Sequence, residues 1–321
     1  MTRAVFGLGP LERWLADDDV TEVLVNGGRH VWVERRSARG GTEYVGVLDD
    51  GVIDTVIERI LTPVGRRLDR THPVVDARLP DGSRICAVQS PVAVDGTCLS
   101  IRKFTRLGVP LDRFGAPHLV DLLIHLVDAR CNVLVSGATS SGKTTLLNAL
   151  ASHIPSDERI VTLEDTAELA LDTPHVLRLE TRPASAEGVP GVPMSDLLRT
   201  ALRLRPDRLV VGEVRGVEAV ELVQALNTGH DGSLCTIHAN SGAEALSRLE
   251  SLVVQGTPSW PLAAVRDQVR ASIDVVVHVE RATDGTRRIE SVSEVERHGD
   301  RPIRTLADRA TMHTEPTRVR R

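Results

Sequence analysis

Aromatic side chains are scarce in this chain: three Trp, three Phe and one Tyr make up 2% of its 321 residues. Surfaces that bind single-stranded nucleic acid stack bases on such rings, so their scarcity weighs against that class. It also leaves Val, Leu, Ile and Ala to fill the core, within an apolar share of 41%. Cysteine is sparse as well. Cys86, Cys98, Cys131 and Cys235 include no Cys-x-x-Cys pair, and scattered single thiols fit a reducing compartment in which they act as small hydrophobes. No apolar run approaches the ~18 residues of a membrane-spanning helix. The opening "MTRAVFGLGPLERWLADDD" lacks the apolar stretch of a signal peptide. These absences lead to the expectation of a soluble, cytoplasmic protein. A dominant charge sign is missing too: 39 basic and 44 acidic residues leave a net charge of -5, which gives no general reason to bind nucleic acid.

A chain of this length suggests about two domains. The first third reads as strands and turns. "TEVLVNGGRHVWVE" is a hairpin around Asn26-Gly27, and "VVDARLPDGSRICAVQ" is another with Asp81-Gly82 at its tip. Between them "GVIDTVIERILTPVG" has helical spacing and ends in Gly65, and "TCLSIRKF" closes the set. A small α+β domain is expected over 1–104. "TRLGVPLDRFGAP", residues 105–117, is rich in Gly and Pro and reads as a linker. After it, short apolar strands ("NVLVSG", "RIVTLED", "DRLVVGE", "SLCTIH") alternate with helical stretches ("KTTLLNALASHI", "MSDLLRTALRL", "VEAVELVQALN"). That alternation predicts an α/β domain over 118–321 whose mainly parallel sheet is covered on both faces. "DVVVHVERATDGTRRIESVSEV" is a late hairpin, and the polar tail from about 300 to 321 is expected to be disordered.

"GATSSGKT", Gly137 to Thr144, fits G-x-x-x-x-G-K-[ST], with an apolar strand before it and a helix starting near Lys143. In that context backbone N–H groups and the positive end of a helix surround the phosphates of a nucleotide. Gly137, Ala138, Thr139, Ser140, Ser141 and Gly142 form the cradle. Lys143 is expected on the β- and γ-phosphates, Thr144 on Mg2+ and Thr145 on the α-phosphate. Hydrolysis also needs an acid to orient water and another to hold the metal, at the carboxyl ends of strands, where ligands of α/β sheets bind. "RIVTLED" ends in Glu164-Asp165, and "DRLVVGE" ends in Glu213. Glu164 is the candidate for activating water, with Asp165 its rival, and Glu213 the candidate for contacting Mg2+, through water.

"GATSSGKTTLLNAL", "RIVTLEDTAEL", "LRLRPDRLVVGEVRG" and "NTGHDGSLCTIHANS" follow one another in that order. They resemble the Walker A, Asp box, Walker B and His box of the type II/IV secretion ATPases. The closest match is the CpaF/TadA-type branch, which powers pilus assembly. The resemblance runs from about Gly7 to Val279, with Ala138 and Ser141 standing where relatives often have glycine. It implies a RecA-like P-loop NTPase domain, ATP and Mg2+ as ligands, and a ring of six chains. It further implies a cytoplasmic position on the inner membrane beside a platform protein. His238 matches the His-box histidine that sits near the γ-phosphate, and His230, in a Gly-Asp-Gly turn, is either at the edge of the same site or a turn residue bonding to backbone. A zinc site would need about four ligands, and only Cys235 and these histidines are at hand. Cys235 and His238 are three apart on a strand, so Cys235 is expected in the core.

Positive charge added to the transition state is expected from an arginine. Candidates are Arg78, Arg84, Arg102 and Lys103 in the first domain and Arg182, Arg199, Arg203 and Arg205 in the second, with Arg102 and Arg205 favoured. ATP would draw the two domains together across "FTRLGVPLDRFGAP", and hydrolysis would release them. The leading function is an ATP-driven motor for pilus assembly or secretion. The alternatives are a RecA-like ring ATPase translocating nucleic acid, and a small-molecule kinase.

Overall fold

The computed structural model of the protein describes residues 7–36, 41–104, 108–184, 188–282, 284–299 and 302–317. The chain divides into two compact units, Met1–Arg106 and Leu107–Arg321. In the first, a short helix α1 (Glu12–Leu15) precedes β1 (Val20–Asn26), β2 (His30–Arg35) and β3 (Thr42–Val47). Helix α2 (Val52–Leu61) follows, then β4 (Val74–Arg78), β5 (Arg84–Val88) and β6 (Cys98–Arg102). The six strands form one antiparallel sheet in the order β3-β2-β1-β6-β5-β4. Alternate residues (Val23, Val25, Val31, Val33, Leu99, Ile101) point to a buried face, as a half-solvated antiparallel sheet requires. The α2 side chains Ile53, Val56, Ile57 and Ile60, at helical spacing, pack into the same core. The β1–β2 turn spans Gly27 to Arg29, with Asn26 paired to His30. Gly27 and Gly28 both take positive φ, which explains their type at this turn.

The second unit begins with α3 (Pro117–Asp128) and β7 (Val133–Gly137), followed by α4 (Lys143–Ala151), β8 (Ile160–Glu164) and β9 (Val176–Glu180). Next come α5 (Met194–Ala201), β10 (Arg208–Val211), α6 (Ala219–Asn227) and β11 (Leu234–His238). Helices α7 (Gly242–Gly256) and α8 (Leu262–Ser272) precede β12 (Val275–Arg281), β13 (Arg287–Val295) and β14 (Ile303–Asp308). The sheet order is β14-β13-β12-β7-β11-β10-β8-β9, parallel from β12 to β9 and antiparallel over β12-β13-β14. The central strands β7, β8, β10 and β11 are buried on both faces. Val133, Val135, Val210 and Leu234 pack with α3 and α4 on one side. Leu134, Val211, Cys235 and Ile237 pack with α5 to α8 on the other. Cys235 is thus a core residue, and burial pushes its thiol up to about 12. Among the described residues no helix is long and apolar enough to cross a membrane.

Two expectations change. The tail is not disordered throughout: Ile303–Asp308 pairs with β13 and buries Leu306 and Ala307, so the strand hides apolar atoms that the surrounding polar residues obscure. Residues 300, 301 and 318–321 lie outside the described residues. The linker at 105–117 is shorter than read. Leu111 and Phe114 are buried in the core of the second unit, and the Phe114 carbonyl accepts from Ile289 N–H. Residues 105–107 lie outside the described residues.

The amino ends of the parallel strands are tied by a buried ion pair. Arg208, 1% exposed at the start of β10, donates through Nε and Nη2 to the two oxygens of Glu158 at 2.7 and 2.8 Å. Its Nη1 donates to the carbonyls of Val127 and Gly232. Gly232 has φ +81°, and a Cβ there would lie 2.3 Å from Arg208 Nη1, so glycine is needed for this approach. Arg208, with Arg130 behind it, holds the Glu158 carboxyl below its ordinary 4.5. Removing one partner of a buried pair leaves an uncompensated charge and costs about 3 kcal/mol. Glu158→Gln is therefore expected to lower the melting temperature at neutral pH by roughly 6–12 °C. A depressed carboxyl pKa contributes stability above pH 4.5 that is lost as pH falls through the folded value. Melting curves should accordingly converge for variant and parent on acidification below 4.5, and a pH-independent gap would contradict the assignment.

Candidate functional site

The carboxyl ends of β7, β11, β10 and β8 lie side by side, and each carries one part of the candidate site. Between β7 and α4 the loop Gly137–Gly142 turns tightly: Ser140 takes φ 61° and Gly142 φ 100°. Gly137 allows the closure, because a Cβ there would sit 2.4 Å from both Ser141 Oγ and the Val279 carbonyl. Ser141 is buried over Gly137, and its hydroxyl has no hydrogen-bond partner among the described residues. Ala138, Thr139 and Ser140 are exposed, and Thr144 and Thr145 lie half-buried in the first turn of α4.

Lys143 is buried and folds back on this loop. Its Nζ donates to the carbonyls of Gly137 at 3.1 Å and Ala138 at 2.9 Å. It also donates to His238 Nδ1 at 3.1 Å. Burial holds the ammonium pKa below its usual value. An ammonium donor at Nδ1 leaves the hydrogen on Nε2, which faces Glu213 Oε1 at 2.6 Å. The two atoms approach off the N–H axis, and Oε1 accepts no hydrogen bond among the described residues. Burial lowers the His238 pKa, helped by the charges of Lys143, Arg215 and Arg248 and opposed by Glu213.

Glu213 follows β10, and its Oε2 accepts from Arg215 Nη2 at 2.5 Å. Glu164 ends the neighbouring strand β8 and is 2% exposed. Its Oε1 accepts from the N–H groups of Glu168 and Leu169 at 2.8 and 2.9 Å. Its Oε2 has no partner among the described residues. Burial raises its pKa above the ordinary 4.5, against those two hydrogen bonds. Glu164 fits beside β10 because residue 212 is glycine: a Cβ there would lie 2.9 Å from Glu164 Cγ. Asp165 is more exposed and lies 3.7 Å from Arg215 Nη1.

Three buried oxygens that lack a hydrogen-bond partner among the described residues, on Ser141, Glu164 and Glu213, thus belong to this one edge of the sheet. Hard oxygen donors of this kind suit Mg2+, which binds through a carboxylate or two plus substrate phosphates. The residues present fit that ion.

Residues 5–318 match the family described as type II/IV secretion system protein. The chain belongs to that family. It is a secretion-family ATPase. It is 40% identical over 298 residues to a Mycobacterium tuberculosis (strain H37Rv) protein named for conjugal transfer, Rv3659c, covering 89% of this chain and 84% of that one. It is 36% identical over 318 residues to the type IV secretion system protein PtlH of Bordetella pertussis, covering 88% and 92%. Among solved structures, the pilus retraction motor PilT with bound ADP aligns with a TM-score of 0.67 at 19% identity, over 92% of this chain and 84% of that one. At that identity the likeness shows the fold.

Two residues assigned to the site in this secretion ATPase lie elsewhere. His230 precedes β11, at the amino end of the strand whose carboxyl end carries His238, and its Nδ1 bonds the Ala225 carbonyl at 3.1 Å. It is a turn residue. Arg205 caps the turn before β10, with φ 55°, and likewise sits at the amino end of the sheet, away from Glu213. Arg102 belongs to the other unit, exposed at the end of β6. Conversely, Arg215, which is not among the expected arginines, meets the strand-end acids Glu213 and Asp165. Its signal was its place two residues beyond Glu213. In the secretion ATPase, Gly212→Ala is expected to push Glu164 aside and lower turnover roughly tenfold or more, while nucleotide binding persists. Steady-state ATPase assays beside equilibrium binding check this, and unchanged turnover would contradict it.

Proposed function

We propose that this ATPase is a motor that powers pilus assembly or protein secretion, with Mg-ATP held by residues 137–145 and read by His238, Glu213 and Glu164. The observation that carries this is the contiguous chain from loop to acid: Lys143 Nζ to His238 Nδ1 at 3.1 Å, and His238 Nε2 to Glu213 Oε1 at 2.6 Å. Bound Mg2+, held by Thr144 and, through water, by Glu213, would neutralise charge on the phosphates. Lys143 is placed to exchange its loop carbonyls for β- and γ-phosphate oxygens. When it does so, His238 Nδ1 loses its donor, and the ring is free to take a proton or turn toward the terminal phosphate. The presence of that phosphate is thereby reported to Glu213. Glu164 is the base. Its Oε1 is anchored by two amides, Oε2 is left for a water proton, and burial brings its pKa closer to working pH.

The finer reading is a hexameric ring of the CpaF/TadA type, docked on a platform protein at the cytoplasmic face of the inner membrane. The resemblance of all four boxes supports it. Arg102 is the arginine proposed for transition-state charge, from the same chain or a neighbour in the ring. Translocation of nucleic acid is disfavoured by the acidic, aromatic-poor composition.

Lys143→Ala is expected to abolish nucleotide binding. Glu164→Gln should keep binding and lose about 100- to 10,000-fold in kcat. Phosphate-release assays with acidic vesicles or with single-stranded DNA separate the two motor classes. Intact turnover in Lys143→Ala would overturn the site, and stimulation by DNA alone would favour the translocase.

A further inference from the structure

Arg215 stands on a closely held stretch of backbone. Val214 before it is buried, and its N–H donates to the Thr236 carbonyl at 2.9 Å. Glu218 Oε1 accepts from the N–H groups of Arg215 and Gly216 at 2.7 and 2.8 Å. A Cβ at Gly216 would lie 2.9 Å from Glu218 Oε2 and would disturb this carboxylate. The backbone at 215 is therefore pinned on both sides. The side chain, by contrast, is 60% exposed, so it can swing about a fixed root. Its guanidinium spans two acids from neighbouring strand ends. Nη2 lies on Glu213 Oε2 at 2.5 Å, Nη1 is 3.7 Å from Asp165 Oδ2, and the Glu168 charge acts on it as well.

Glu213 has two oxygens. Oε1 faces the His238 ring at 2.6 Å, and Oε2 is covered by Arg215. A hydrated divalent cation approaching this carboxylate meets a guanidinium already on its outward oxygen. Both cations draw on the single negative charge of this carboxylate and repel each other at this range. They compete at Glu213.

We propose that Arg215 is a resident counter-cation that competes with the divalent metal of Mg-nucleotide for Glu213, and so sets how tightly metal-nucleotide is held and how readily it leaves. The inference rests on the reading of residues 137–145 as the nucleotide site. Loading of metal-nucleotide displaces the guanidinium toward Asp165 and Glu168, and its return to Glu213 assists release of metal with the spent nucleotide. Nothing covalent changes; one ion pair is exchanged for another.

The test is equilibrium binding of a fluorescent, non-hydrolysable ATP analogue to the full chain, with Mg2+ and with EDTA. Breaking a largely exposed ion pair changes an equilibrium by about two- to fivefold. Arg215→Gln should therefore tighten binding in Mg2+ by about two- to fivefold, with no tightening in EDTA, so that the ratio of the two affinities rises. Arg215→Lys keeps a cation on the same stem but loses the fork, and should give a smaller rise in the same direction. A ratio unchanged or lowered in both variants overturns the proposal. Equal weakening in both conditions would make Arg215 a phosphate ligand, which also overturns it. A parent protein that binds the analogue, with variants that leave the ratio alone, removes this inference and spares the site. A parent protein that binds no analogue removes both.

Discussion

Parallel pairing of β11 with β7 sets His238 opposite Gly137, and parallel pairing of β10 with β8 sets Val211 opposite Leu163. These two registers align the ends of four strands at one edge. The Gly137–Gly142 turn, the imidazole, Glu213 and Glu164 then emerge at similar height from a rigid platform. A slip of one residue in either pairing would send His238 or Glu164 to the opposite face. The register is secured by burial on both sides: alternate residues of each strand fill either the α3–α4 core or the α5–α8 core. Close packing of two apolar layers thus fixes the positions of polar groups that pack against neither.

The two ends of the sheet handle charge in opposite ways. At the amino end, Arg208 has its nitrogens bonded to Glu158 and to carbonyls of Val127 and Gly232, and it is sealed from solvent. Such a group holds geometry and has no reason to move. At the carboxyl end, Lys143 is satisfied by carbonyls of its own loop, and Glu164 and Glu213 each keep a buried oxygen without a partner among the described residues. Unpaired buried oxygens are costly, and they are tolerated at sites that exchange partners during function. The rigid end anchors β10, and the exchangeable end lies a few residues further along the same strand.

Much of this architecture was legible because its signals are local. The central strands β7, β8, β10 and β11 are short apolar runs between helices of clear period, and the loop "GATSSGKT" carries its own spacing. The strands that escaped notice were β3, β9 and β14, which are all edges. An edge strand pairs on one side and buries little: β3 buries none of its six residues fully, so its sequence "TEYVGV" is under weak apolar constraint. The site reading of Arg205, and of the two readings of His230 the one that put it at the site, failed for a different reason. Closeness in sequence to His238 and to the β10 strand does not reveal which end of a strand a residue occupies. Both precede their strands, and in a parallel sheet ligands gather where strands finish. Arg215 follows its strand, which is why it arrives at the site.

The central claim is that one triphosphate engages the loop, the imidazole and both strand-end glutamates together. A crystal or cryo-EM structure of the full chain with Mg2+ and a non-hydrolysable ATP analogue tests it most directly. The account predicts the terminal phosphate between Lys143 and His238, with the metal on the Glu213 side and an ordered water at Glu164 Oε2. A triphosphate bound with Glu164, Glu213 and His238 all out of reach would contradict it.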